Sequence, residues 1–253
     1  MEPVTTAFSS YETSVPEVLA ALGAGRTLAA ERRILLKPNL VTAAPHPVTT
    51  AIACCRAVIA CIRACSRAEI VIAEGTGDPG DSTWEVFAKL GYTELSKETG
   101  ATLMDLNQEP VELLKNSACK RLPELYLPKA ARRYFIISLP VLKAHSLAGF
   151  TGSRKNMLGF APPAHYAGAG GVWNKAALHR DLQQAVIDLN RYRSPDLTLM
   201  DASVGLPEQH LGGRICDPPV QKLLAGWDAM AVDRAAAGML GLDWRNIQHL
   251  SDR

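Results

Sequence analysis

A chain of 253 residues is long enough for one large domain or two small ones, with a sizeable core. Hydrophobic residues make up 47% and charged residues 21%, an ordinary globular balance, and a formal net charge of +2 argues against a general nucleic-acid binder. No apolar run approaches the roughly eighteen residues needed to cross a bilayer, and residues 1–14 lack the basic-then-apolar pattern of a secretory signal, so a cytoplasmic protein with no membrane partner is expected.

In chain order, residues 1–14 read as irregular, and 15–30 as a short helix interrupted by Gly23 and Gly25. The run at 33–36 begins a compact strand. It is expected to stop at Lys37-Pro38-Asn39, because proline cannot continue the ladder of a central strand, which leaves Lys37 and Asn39 at the carboxyl end. A loop with His46 fills 40–47. Cys54, Cys55, Cys61 and Cys65 then invite an iron–sulfur reading, but C-C-x5-C-x3-C is not a ferredoxin spacing. Val48, Ile52, Cys55, Ile59 and Ile62 share one helical stripe, and Arg56, Arg63 and Arg67 another. The thiols are better read as small packing groups, without disulfides.

Residues 69–73 (EIVIA) form the next expected strand, followed by the loop Glu74-Gly75-Thr76-Gly77. Ser82 can cap a helix that Gly91 ends, and a further helix over 93–99 ends at Gly100. Residues 101–106 are a strand. Within 107–131, short antiparallel edge strands are expected at 111–114 and 125–127. Residues 134–139 form a buried strand closed by Pro140.

The stretch 143–160, KAHSLAGFTGSRKNMLGF, follows as a loop dense in chemistry. It carries Lys143, His145, Ser146, Thr151, Ser153, Arg154, Lys155 and Asn156, broken by Gly149, Gly152 and Gly159. Cations, hydroxyls and glycines after a buried strand suit an anion: glycine lets backbone N–H groups approach and Lys and Arg supply charge. Composition alone also allows a merely solvated basic loop. The segment 161–174 is glycine-rich and reads as a lid. Residues 178–192 read as an amphipathic helix, 197–200 as a strand ending at Asp201, 220–224 as a final strand, and Asp228 as the cap of a helix over 229–240. Asp233, inside that helix, reads as a buried partner for a site lysine, and the tail 243–253 as a surface for a homo-oligomer.

Strands alternating with helices indicate an α/β fold: one domain over 1–253, with a layered, mostly parallel sheet flanked by helices and a small antiparallel excursion. Ligands of such sheets bind outside the carboxyl ends of the strands, where Lys37, Asn39, Glu74, Asp105, Lys143, His145 and Asp201 are expected to gather. No G-x-G-x-x-G directly follows the strand at 33–36, and the sequence has no G-x-x-x-x-G-K-[ST], no G-x-S-x-G, no H-E-x-x-H and no C-x-x-C. The usual dinucleotide, P-loop, hydrolase and zinc readings lose their main support.

Several phrases together resemble one family, the bacterial and archaeal domain of unknown function numbered 362. They are ILLKPNL at 34–40, the His46-Pro47 turn, IVIAEGTG at 70–77, GYTEL at 91–95, SLPVLKAHSLAGFTGSRKNMLG at 138–159, the strand end at Asp201, and LLAGWDAMAVDRAAAGMLGLD at 223–243. The resemblance implies little chemistry. Longer members carry a C-terminal ferredoxin-like domain, and no such domain is expected before Arg253, so it implies at most a separate ferredoxin-like partner. TGSRKN and the His46-Pro47 turn are also weakly similar to the N-terminal domain of nickel-pincer lactate racemases, which hold a pyridinium-derived cofactor with lysine and histidine.

The residues support three functional readings. The first is an enzyme acting on a small anionic substrate, carboxylate or phosphate, by isomerase- or lyase-type proton transfer. Lys37, Lys143, Arg154 and Lys155 would neutralise it, Gly152 and Ser153 would offer backbone N–H groups, and Asn39 and Asn156 would orient it. His145 would be the acid/base, its pKa lowered by the surrounding cations so that a neutral imidazole takes the proton. Glu74 would be a second acid/base or hold a lysine in place. The second is metal-dependent, drawing on His46, His145, His165, His179, Glu74 or Asp201, none at a diagnostic spacing. The third is a non-catalytic module that binds an anionic metabolite or a redox partner. No cofactor is identified by the sequence.

Overall fold

The computed structural model describes residues 2–168 and 172–251. In order the elements are β1 (Val4–Ala7), α1 (Tyr11–Ala21), α2 (Ala24–Ala30), β2 (Arg33–Pro38), α3 (Ile52–Cys65), β3 (Glu69–Glu74), α4 (Thr83–Lys89), α5 (Tyr92–Thr99) and β4 (Thr102–Asp105). Then come β5 (Val111–Lys115), β6 (Glu124–Pro128), α6 (Ala130–Arg133), β7 (Phe135–Leu139), β8 (Val141–His145), β9 (Gly149–Thr151), α7 (Ser153–Asn156) and α8 (Pro163–Tyr166). The chain closes with α9 (Leu182–Tyr192), β10 (Leu197–Leu206), β11 (Lys222–Gly226), α10 (Ala229–Met239) and α11 (Gln248–Ser251).

The main sheet runs β1-β11-β10-β7-β2-β3-β4. From β10 to β4 all neighbours are parallel, and β11 and β1 add an antiparallel edge. Apolar residues on successive positions of a strand point to opposite faces. Ile34 and Leu36 therefore join the core beneath α1, α3 and α5, while Leu35 joins the core formed with α9 and the separate β5-β6 ribbon. A third cluster packs α10 against Met200, Ala202 and Leu224. The ribbon is the antiparallel excursion expected within 107–131.

The break at Pro140 positions the site. Beyond it the chain continues as β8, which leaves β7's place and pairs with the second half of β10. Asp201 N–H donates to Pro140 O at 2.9 Å and holds the junction. β8 turns back as β9, so Lys143, His145 and Thr151 are carried over the carboxyl ends of β2 and β3 on a hairpin.

Four expectations are corrected. The N-terminus is not irregular: a four-residue strand, too short to show a period, pairs with β11, and α1 begins at Tyr11 behind a Ser10 cap. β2 runs through Lys37 and Pro38, because Pro38 occupies the last rung, opposite Leu139, where a missing donor matters least. The stretch 143–160 is not a loop but the end of β8, then β9, α7 and a 3-10 turn, and most of its polar groups are buried. β10 spans ten residues, so Asp201 lies in its middle, with Tyr11 Oη 2.7 Å and His46 Nε2 3.3 Å from its carboxylate. Within 161–174, α8 forms at Pro163–Tyr166, and 169–171 fall outside the described residues. All six cysteines are free, with Cys54 and Cys55 packed in the core.

Candidate functional site

A cavity of about 270 Å³ opens at the carboxyl ends of β2 and β3, under the β8-β9 hairpin. Its floor is one hydrogen-bonded chain. Glu74 Oε1 lies 2.7 Å from Lys37 Nζ, and the same carboxylate accepts from Gly75 N and Leu40 N, each at 2.8 Å. Lys37 Nζ also donates to Pro38 O at 2.9 Å and to Asn156 Oδ1 at 3.2 Å. Asn156 Nδ2 returns a bond of 2.9 Å to Lys37 O. Asn39 Nδ2 reaches Asn156 Oδ1 at 3.4 Å, and Asn39 Oδ1 accepts from Lys143 Nζ at 2.6 Å. Lys143 donates also to Val48 O at 2.6 Å. Burial pushes both lysines below the ordinary lysine range. Glu74 opposes this at Lys37, whereas at Lys143 the charge of Lys155 adds to it.

Two glycines let the floor close. A Cβ on Gly159 would lie 2.4 Å from Glu74 Oε1 and from Lys37 Cε, and one on Gly75 would lie 2.4 Å from Gly159 O. Lys175 Nζ ties these segments together through Gly75 O (2.7 Å), Gly159 O (2.9 Å) and Leu158 O (3.2 Å). Burial pushes Lys175 down to about 7. Three carbonyl acceptors favour its charged form, so its geometry is that of a clamp.

The upper wall is different in kind. His145 is buried, and its Nδ1 accepts from Leu147 N at 3.0 Å and Ala148 N at 3.2 Å. Its ring stacks on His210 at 3.7 Å between centroids. Burial, then Lys155, His210 and Lys143, hold His145 far below the ordinary histidine range. A neutral imidazole whose Nδ1 accepts two N–H groups carries its proton on Nε2. His145 therefore presents a donor to the cavity, which corrects the expectation of a proton-accepting base. Burial and Lys155 likewise push His210 down to about 3.

Lys155 lines the same cavity and has no hydrogen-bond or ion-pair partner among the described residues. Burial alone pushes it down to about 8. Thr151, also in the lining, buries a hydroxyl without a partner among the described residues. The one carboxylate of the lining among the described residues, Glu74, is already taken up by Lys37 and two backbone N–H groups. The cavity thus holds uncompensated positive charge and spare donors, an arrangement suited to an anion.

Of the residues singled out in the sequence, Asn39, Glu74, Lys143, His145, Lys155 and Asn156 converge here, with Lys37 beneath them. Gly152, Ser153 and Arg154 do not. The N–H groups of Ser153 and Arg154 donate to Asp233 at 2.7 Å and 2.9 Å, and a Cβ on Gly152 would lie 2.3 Å from that carboxylate. Asp233 consequently anchors the start of α7 rather than pairing with a lysine. Burial pushes its carboxyl up to about 7 against those two bonds. Arg154 lies beside a second cavity, with Trp227 and Met230. Asp105 and Asp201 are outside the lining. Lys175, Trp173 and His210 complete the site without having been anticipated. Lys175 follows a glycine-rich segment, and His210 precedes Gly212-Gly213, which are faint signals at best. Among the described residues no three His, Cys, Asp or Glu side chains converge as metal ligands, so the metal-dependent reading gains no support from the donor set.

Fold and site define an α/β protein, its sheet mostly parallel, with a cationic, largely buried cavity at the carboxyl ends of the strands. The chain belongs to the family described as "Domain of unknown function (DUF362)", whose model matches residues 34–238. No curated protein matches it. Among solved structures it is similar to the lactate racemase apoprotein from Thermoanaerobacterium thermosaccharolyticum, with 18% identity and a TM-score of 0.53. The likeness covers 98% of this chain and 58% of that one, and at this identity it shows the fold alone. No helix among the described residues is long and apolar enough to cross a membrane.

Proposed function

We propose that the chain is an enzyme for a small anionic metabolite, carboxylate or phosphate, and that it moves a proton next to the anionic group. The observation that carries this reading is Lys155: a partly buried amine with no partner among the described residues, facing a cavity whose only carboxylate among those residues is already bound. A charge held out of water without a counter-ion is costly, and a ligand anion offsets that cost.

The roles follow from the geometry. The anion sits between Lys143 and Lys155. His145 Nε2–H donates to a substrate oxygen as a neutral imidazole, which polarises the oxygen without competing for a proton. Lys155, with a pKa near 8 in the free protein, holds the anionic group as an ammonium, and its free amine, a minor fraction that grows with pH, takes and returns the proton. Lys37, Glu74, Asn156 and Asn39 hold the floor rigid and are positioning residues. This chemistry is of isomerase or lyase type and needs no oxidant. The lactate racemase of similar fold acts on a small carboxylate, which is compatible with this reading.

The test is solvent exchange. Incubating the protein in D₂O with small 2-hydroxy and 2-oxo carboxylates and following the α-proton signal by NMR should show enzyme-dependent loss of that signal for at least one of them. Lys155→Met should abolish the exchange. Tight binding of these acids without exchange at any pH between 7 and 9 would reduce the protein to a binding module.

A further inference from the structure

The cavity changes character from floor to mouth. Lys143, Glu74, Asn156 and Thr151 lie at its base with at most 4% exposure, whereas the mouth is edged by Leu147 at 62% and Leu211 at 40%. Trp173 stands in the same wall. Large aliphatic side chains lose stabilisation by standing in water, and few do so on this molecule. Leu147 belongs to the turn between β8 and β9, whose backbone N–H groups His145 gathers. Leu211 follows His210, whose ring stacks on His145. Each apolar group is therefore fixed to the rim through the imidazole that faces the ligand.

From this gradient we infer that the ligand is an amphiphilic anion: a carboxylate or phosphate head on an apolar body, seated with the head on Lys155 and the body against Leu147, Leu211 and Trp173. The head-group placement rests on the function proposed above, and the apolar body is the new element. A polyhydroxylated anion of equal charge would leave its hydroxyls against aliphatic rim groups and lose their water hydrogen bonds. An apolar chain leaves nothing unpaired and covers side chains that otherwise face solvent.

The test is calorimetric titration of the full chain with unbranched monocarboxylates from acetate to octanoate, beside malate and a sugar phosphate. Each methylene that reaches the rim should tighten binding by about fourfold until the chain clears the mouth. Octanoate should then bind more tightly than malate or the sugar phosphate. Leu147→Ser and Leu211→Ser should flatten the series while leaving acetate unchanged, and Lys155→Met should weaken every member. Affinity independent of chain length, with Lys155→Met still weakening all ligands, overturns the apolar body and leaves the head-group reading intact. Equal binding by the parent and Lys155→Met, or no binding by any of the acids, overturns both.

Discussion

Replacing Glu74 by Gln tests whether the floor is the rigid, charged base described here. Glu74 and Lys37 are 3% and 0% exposed and 2.7 Å apart, so the change leaves an ammonium buried without its counter-ion while keeping the shape of the side chain. Removing one partner of a buried pair costs about 3–5 kcal/mol. At about 2–4 °C per kcal/mol for a chain of this size, the midpoint should fall by roughly 6–20 °C at pH 7. The sign of the pH dependence follows from Lys37. Its folded pKa is lowered by burial, and more so once Glu74 no longer opposes that. Between that value and the unfolded lysine pKa of about 10.4 the unfolded state binds more protons, so stability rises with pH in this window. The gap between variant and parent should therefore narrow from pH 7 to pH 10. Lys37→Met combined with Glu74→Gln should recover much of the loss, because no charge is left unpaired and the Gln oxygen still accepts from a backbone N–H. Far-UV circular dichroism melts of the three proteins at both pH values decide the matter. A Glu74→Gln midpoint within about 2 °C of the parent at pH 7 would refute the buried-pair reasoning.

Lys155→Met should stabilise the protein by about 1–3 kcal/mol at pH 7, a magnitude discounted for partial solvent access, while removing anion-induced stabilisation in thermal shift assays. With a folded pKa near 8 against about 10.4 unfolded, the parent should gain stability as pH rises through that window, and the variant should lack that gain. His145→Asn keeps an acceptor for Leu147 N–H and Ala148 N–H but loses the Nε2–H donor. Urea midpoints should barely move, and turnover should fall by about 100- to 1,000-fold. The pH profile of kcat/KM in the parent, which reports the free protein, should rise through about 8 with no inflection near 6.5, because His145 does not titrate there. Gly159→Ala drives a methyl to 2.4 Å from Glu74 Oε1 and Lys37 Cε, and should cost about 1–3 kcal/mol by urea titration.

The parts of the fold legible in the sequence were those encoded locally. The apolar runs of β2, β3 and β7 announce buried parallel strands, and Ser82, Gly91 and Gly100 mark helix ends, the Ser82 cap being completed in the structure by Glu85. Lys37, Asn39 and Glu74 could be grouped because parallel strands bring their carboxyl ends to one rim. What could not be read depends on pairing across long separations. Nothing local says that the chain after Pro140 rejoins the sheet beside β10, yet that step buries Lys143 and turns a supposed loop into a hairpin. Asp233 lies 80 residues from Ser153, and it takes up the backbone N–H groups of Ser153 and Arg154, which composition alone leaves free for a ligand. The role of His145 hinged on two backbone donors at Leu147 and Ala148, a matter of turn geometry that composition does not carry.

The most direct test of the central claim is the ionisation of Lys155 itself. Selective labelling of lysine side chains, with Lys155→Met for assignment, lets its titration be followed by heteronuclear NMR with and without a carboxylate such as octanoate. The account requires a midpoint near 8 in the free protein and a rise toward or beyond the ordinary lysine value of about 10.4 when the anion binds. A Lys155 that titrates at the ordinary value in both states would be a solvated surface cation, and the cavity would not be the anion site described here.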